Sequence, residues 1–99
     1  AGAFASRRAM LTDTHTHLEL FDKRGELPTV LARARAAGVT RQVTIGTAGD
    51  DWGRYRGLAA AHPGEIFYTA GLHPCSVDER WPDELAALEP YWLGEYGPA

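Results

Sequence analysis

The chain has one cysteine, one lysine and no long apolar run, and each shortage excludes something. A single thiol, Cys75, cannot form an internal disulfide, so a disulfide-stapled secreted scaffold is out and a reducing cytoplasm is the expected compartment. No stretch approaches the about 18 apolar residues a spanning helix needs, so no membrane association is expected. Ten basic residues against thirteen acidic ones leave a net charge of -3, too little of either sign to draw in DNA or anionic lipid by field alone. A phosphate-bearing substrate would therefore need local help, such as a bound cation. Neither a Walker-type phosphate loop nor a dinucleotide fingerprint is present. What remains is 99 residues, 44% apolar and 23% charged, the composition of one globular unit.

Residues 1–9 carry Arg7 and Arg8 but no acid, and run without an apolar stretch into Thr12, Asp13 and His15. They read as an extension or cloning scar ahead of Met10 rather than as a transit or twin-arginine signal. From Met10 a pattern occurs three times: a short apolar piece, a bend, then an amphipathic segment. Met10 to Thr12, Gln42 to Ile45 and Ile66 to Leu72 read as strands. Leu27, Val30, Leu31 and Ala34 follow helical spacing, with Pro28 suited to a first turn and Gly38 to a stop. A second helix is expected from Asp50 or Asp51, with Trp52, Tyr55, Leu58, Ala59 and His62 on one side and Pro63-Gly64 after it. Gly53 and Gly57 weaken it by about 1 kcal/mol each relative to alanine. A third opens near Pro82, with Asp83 and Glu84 in its first turn. It is expected to bury Trp81, Leu85, Leu88 and Trp92, and to end or kink at Pro90.

Three strand-helix units imply right-handed parallel connections of an α/β protein. Closing a parallel barrel takes eight strands and about 250 residues, so the sheet is expected to stay open at its third strand and to invite self-association there.

The chemistry concentrates in Asp13-Thr14-His15-Thr16-His17. In extended chain alternate side chains share a face, so Asp13, His15 and His17 would project together at the end of the first strand. Two neutral imidazoles suit Zn, Mn, Fe or Co and leave positions for carboxylates and water; solvent-exposed histidines at a polar strand end are the plain alternative. His73, at the end of the third strand in Gly71-Leu72-His73-Pro74, falls on the same rim. His62 reads as a helix C-terminal residue interacting with the dipole, Asp50 and Asp51 as caps, and Cys75 as an inert thiol without an adjacent base. Gly46-Thr47-Ala48-Gly49 reads as a flexible bend that lets backbone approach a ligand.

Asp13-Thr14-His15-Thr16-His17-Leu18, Leu31 to Val39, Ile45-Gly46-Thr47 and Gly71-Leu72-His73-Pro74 together resemble, in order and spacing, the TatD family of metal-dependent hydrolases. The resemblance runs from Met10 to about Trp92. It implies the N-terminal three strand-helix units of a TIM (β/α)8 barrel over residues 10–99, incomplete in this chain. It also implies a site for one or two divalent ions (Mg, Mn or Zn) and hydrolysis of ester bonds, typically as a deoxyribonuclease trimming DNA from the 3′ end. By the same resemblance His15 and His17 are metal ligands, and His73 lines the pocket near a substrate phosphate. The family's next ligand is a glutamate in a Gly-Glu-x-Gly-Leu-Asp segment. Gly94-Glu95-Tyr96-Gly97 imitates its start, but Pro98-Ala99 replaces Leu-Asp, so Glu95 reads as a turn residue and the isolated chain is expected to be inactive. Two alternatives share these features. One is another metallohydrolase, a phosphoesterase or an amidohydrolase; the other is a non-catalytic remnant that self-associates.

Overall fold

The computed structural model describes residues 10–93. The extension assigned to residues 1–9 and the turn assigned to Glu95 both lie outside the described residues. In chain order the elements are β1 (Leu11–Thr16), α1 (Glu19–Lys23), α2 (Leu27–Ala36), β2 (Val39–Ile45), α3 (Gly49–Ala61), β3 (Ile66–Thr69) and α4 (Trp81–Trp92), with a 3-10 turn at Pro74–Ser76. The strands form one parallel sheet in the order β1-β2-β3, as right-handed strand-helix units require. It is open, with β1 and β3 as its two edges.

Register is regular between β2 and β3, from Gln42 opposite Ile66 to Ile45 opposite Thr69. Between β1 and β2 it slips twice, after Leu11 and again between Asp13 and Thr16. That second irregularity lies under the histidines.

One face of the sheet is covered by helices. Leu18, Leu27, Leu31, Tyr55, Leu58, Ile66 and Tyr68 form a single buried cluster there, flanked by Phe21, Ala59, Ala70 and Tyr91. The helical spacing of Leu27 and Leu31 places both on this core side of α2. Gly38, at φ 92°, closes α2 in a backbone region other residues rarely adopt, and its carbonyl accepts the Leu11 amide at the start of β1 (2.9 Å). Trp52, Tyr55 and Leu58 bury the inner face of α3, and His62 caps its C-terminus with its amide on the Leu58 carbonyl (3.0 Å).

Several details differ from the sequence expectations. The five-residue α1 is too short to show a helical period, and it is held by a Glu19–Lys23 pair (2.8 Å). β3 ends at Thr69 rather than Leu72, because beyond it the chain turns along the rim and bonds to loop groups instead of to β2. Pro90 does not end α4, which runs on to Trp92 with the Leu93 amide bonded to the Glu89 carbonyl (3.0 Å). At that position proline forfeits one hydrogen bond near the helix end and leaves the final turn intact. Of the four side chains expected to be buried on α4, only Leu88 is; Trp81, Leu85 and Trp92 are exposed because no described element covers that face. Tyr91 makes the inward contact, edge-on to Trp52 (5.7 Å) and to Tyr68 (6.3 Å).

Candidate functional site

His15 lies in β1 and His17 one residue beyond its end, at the C-terminal rim of the sheet. Their rings are 5.1 Å apart between centroids and inclined at 76°, edge to face. Both are exposed. An ion held tetrahedrally by two imidazole nitrogens at 2.0–2.1 Å needs ring centroids roughly 5 Å apart, a separation this pair matches.

Asp13 does not complete a ligand group with them. Its Oδ1 accepts the His15 amide (3.1 Å), a local turn-like bond, and the ladder irregularity between Asp13 and Thr16 interrupts the period-two alternation on which a shared face depends. Among the described residues no three His, Cys, Asp or Glu side chains form a group able to hold a metal ion. The described donor set is therefore a pair.

His73 stands beyond β3, its amide bonded to the Thr47 carbonyl (2.7 Å) at the end of β2. The Trp52 indole donates to the Gly71 carbonyl (2.8 Å), so the segment leading to His73 is tied at two points. The His73 Nδ1 accepts the Cys75 amide (3.0 Å). That bond puts the proton of the neutral ring on Nε2, leaving an N–H donor on an exposed side chain.

Gly46 permits a close approach, but of protein to protein. A Cβ there would lie 2.3 Å from the Thr69 carbonyl oxygen, to which the Gly46 amide is bonded (3.0 Å). Asp51 is buried at the third residue of α3. Its carboxylate accepts the Thr47 amide (3.0 Å) and hydroxyl, so it caps the helix instead of facing a ligand. Asp50 is exposed on the same first turn. A cleft of about 600 Å³ opens beside this turn, between Glu19, Thr47, Asp51, Arg80 and Glu84. None of the three rim histidines lines it. Its one cation, Arg80, is already paired with Asp78 (3.1 Å) and lies 3.7 Å from Glu84.

Sequence reasoning missed the hydroxyls beneath the rim. Thr44, fully buried in β2, accepts the Leu18 amide on its Oγ1 (3.2 Å), and Thr16 donates its hydroxyl to the Val43 carbonyl (3.0 Å). Tyr55 on α3 is buried in the same cluster as Leu18, and burial pushes its phenol above the ordinary value. A polar residue inside an apolar strand run is the signal that could have pointed to Thr44.

The TatD related DNase family model matches residues 12–97. This chain belongs to that family. A 3'-5' ssDNA/RNA exonuclease TatD from Edwardsiella piscicida is 40% identical over 67 residues, which is 67% of this chain and 25% of the relative. The chain thus spans about a quarter of the length of the curated relative it matches. No solved structure matches it. The open three-stranded parallel sheet is consistent with the N-terminal part of a TatD barrel. Among the described residues no helix is long and apolar enough to cross a membrane.

Proposed function

We propose that this chain carries part of the active site of a metal-dependent nuclease that hydrolyses DNA phosphodiesters from the 3′ end in the cytoplasm. The observation that carries the reading is the His15–His17 pair, two imidazoles 5.1 Å apart at the C-terminal rim of a parallel sheet. Family membership and the exonuclease relative support the hydrolase class. In this reading His15 and His17 are two ligands of a divalent ion, Mg, Mn or Zn, each presenting a neutral ring nitrogen. When bound, such an ion supplies Lewis-acid activation of water and offsets phosphate charge, help that a chain of net charge -3 needs locally. His73 donates its Nε2–H to a phosphate oxygen, with its ring oriented through Nδ1 by the Cys75 amide.

Two imidazoles hold a metal too loosely for hydrolysis, so the 99-residue chain alone is expected to give no measurable turnover. Single-stranded DNA labelled at its 5′ end, incubated with the chain in magnesium, manganese or zinc, tests both points. The expected result is no shortening, together with zinc binding that His15→Ala removes. Robust 3′ trimming lost in His15→Ala would overturn the inactivity of the isolated chain, and zinc binding indifferent to that substitution would overturn the ligand assignment.

A second reading, self-association through the open edge, draws on the open β3 edge and on the exposed Trp81, Leu85 and Trp92 of α4. Light scattering that returns a monomer at all concentrations would dispose of it.

A further inference from the structure

The backbone ladder fails where the histidines need support. β1 pairs with β2 irregularly between Asp13 and Thr16, and nearly all its side chains are exposed, so neither packing nor a regular ladder fixes the peptide that carries His17. The residues on either side of His17 are nonetheless anchored. The Thr16 hydroxyl donates to the Val43 carbonyl (3.0 Å), and the Leu18 amide donates to Thr44 Oγ1 (3.2 Å) while the Leu18 side chain is buried.

We propose that Thr44 and Thr16 are positioning residues for the His15–His17 pair: their hydroxyls tie the chain on either side of His17 to β2 and so set where the His17 ring sits. The inference rests on the reading of His15 and His17 as metal ligands. Thr44 touches neither ring nor substrate; it acts through the Leu18 amide. Remove its hydroxyl and that amide becomes a buried donor with no partner, a cost the turn escapes only by moving, and His17 moves with it. Packing cannot substitute, because valine fills the same volume without offering an acceptor.

That contrast sets the experiment, done on the full chain with zinc alone as probe. Calorimetric titration of the unsubstituted protein is expected to report binding that His17→Ala abolishes. Thr44→Val and Thr16→Val should each weaken zinc binding by about tenfold, with Thr44→Ser restoring it. In parallel, the through-space contact between the two imidazole rings, read by NMR without metal, should fade in Thr44→Val and persist in Thr44→Ser. If Thr44→Val fails to fold, Thr16→Val carries the same measurements. Undiminished zinc affinity in both hydroxyl-deleted variants, or a Thr44→Ser protein weaker than Thr44→Val, overturns the positioning role and leaves the ligand reading standing. Zinc binding that ignores His17→Ala overturns the ligand reading instead; the ring contact then decides positioning alone, and its persistence in both Thr44→Val and Thr16→Val sinks it.

Discussion

β1 and β3 both edge the same sheet, yet they are held in opposite ways. In β3, Ile66 and Tyr68 are buried against α3 while Phe67 and Thr69 face the uncovered side, and the ladder to β2 is regular. In β1 no side chain is buried, and the ladder slips twice in six residues. Packing secures the first edge and scattered hydrogen bonds secure the second. The candidate ligands sit on the weaker one. Binding groups are commonly carried on thinly packed rims above a rigid scaffold, where a side chain can reach an ion or substrate without being committed to the core. The cost is that their placement depends on a few polar contacts.

The contrast breaks first if the packed side is not what stabilises the chain. Trp52 is the largest fully buried side chain, and its indole also holds the Gly71 carbonyl. Trp52→Ala should cost about 3–5 kcal/mol in a urea or thermal unfolding curve, enough to leave many domains of this size largely unfolded. A loss under about 1 kcal/mol would mean that the α3–β3 contact is not the heart of the fold. Gly46→Ala comes next. The added methyl would meet the Thr69 carbonyl oxygen at 2.3 Å and Trp52 Cδ1 at 2.8 Å, so backbone must shift, at about 1–3 kcal/mol. The same unfolding curves check it, and a neutral Gly46→Ala would show that β3 stands farther from β2 than described.

On the bare side the expected effect nearly vanishes. Trp92 is 65% exposed on α4, so Trp92→Ser should alter stability by no more than about 0.5 kcal/mol. If copies associate through that face, light scattering should report a lower mass for the variant at unchanged stability. A destabilisation of several kcal/mol would mean that the α4 face is covered within the chain, and the contrast between the two sides would dissolve.

The three strand-helix units were readable because apolar spacing and breakers such as Pro28, Gly38 and Pro63-Gly64 are local signals. The closeness of His15 and His17 was readable too, since residues two apart in extended chain share a side. Alternation groups Asp13 with the two histidines only in an unbroken strand, and the ladder irregularity between Asp13 and Thr16 depends on the partner strand, which local spacing does not encode. Trp81, Leu85 and Trp92 were expected to be buried for a related reason: periodicity marks which side of a helix is apolar but not whether anything lies against it. Thr44 escaped notice because threonine in a strand is ordinary, and its use as an acceptor for Leu18 arises only when β1 is laid beside β2.

The smallest effect probes the tie between α2 and β3. Arg35, near the end of α2, donates from Nε and Nη2 to the two carboxylate oxygens of Glu65 (2.6 and 2.8 Å), the residue just before β3. The guanidinium beside it holds the Glu65 carboxyl below its ordinary value of 4.5. The folded chain therefore binds that proton less readily than the unfolded chain does. The pair's contribution is complete above the unfolded pKa and disappears as pH falls through the lower, folded one. Because Arg35 is half exposed, water and salt screen the interaction and the contribution is modest. Glu65→Gln should lower the thermal midpoint slightly at pH 7 in low salt, less so in 0.5 M salt, and not at all once acid has protonated Glu65 in both states. A difference that persists or widens in acid would show that the charge of the Glu65 carboxylate is not its source, and the Arg35–Glu65 pair would then not be what ties α2 to β3.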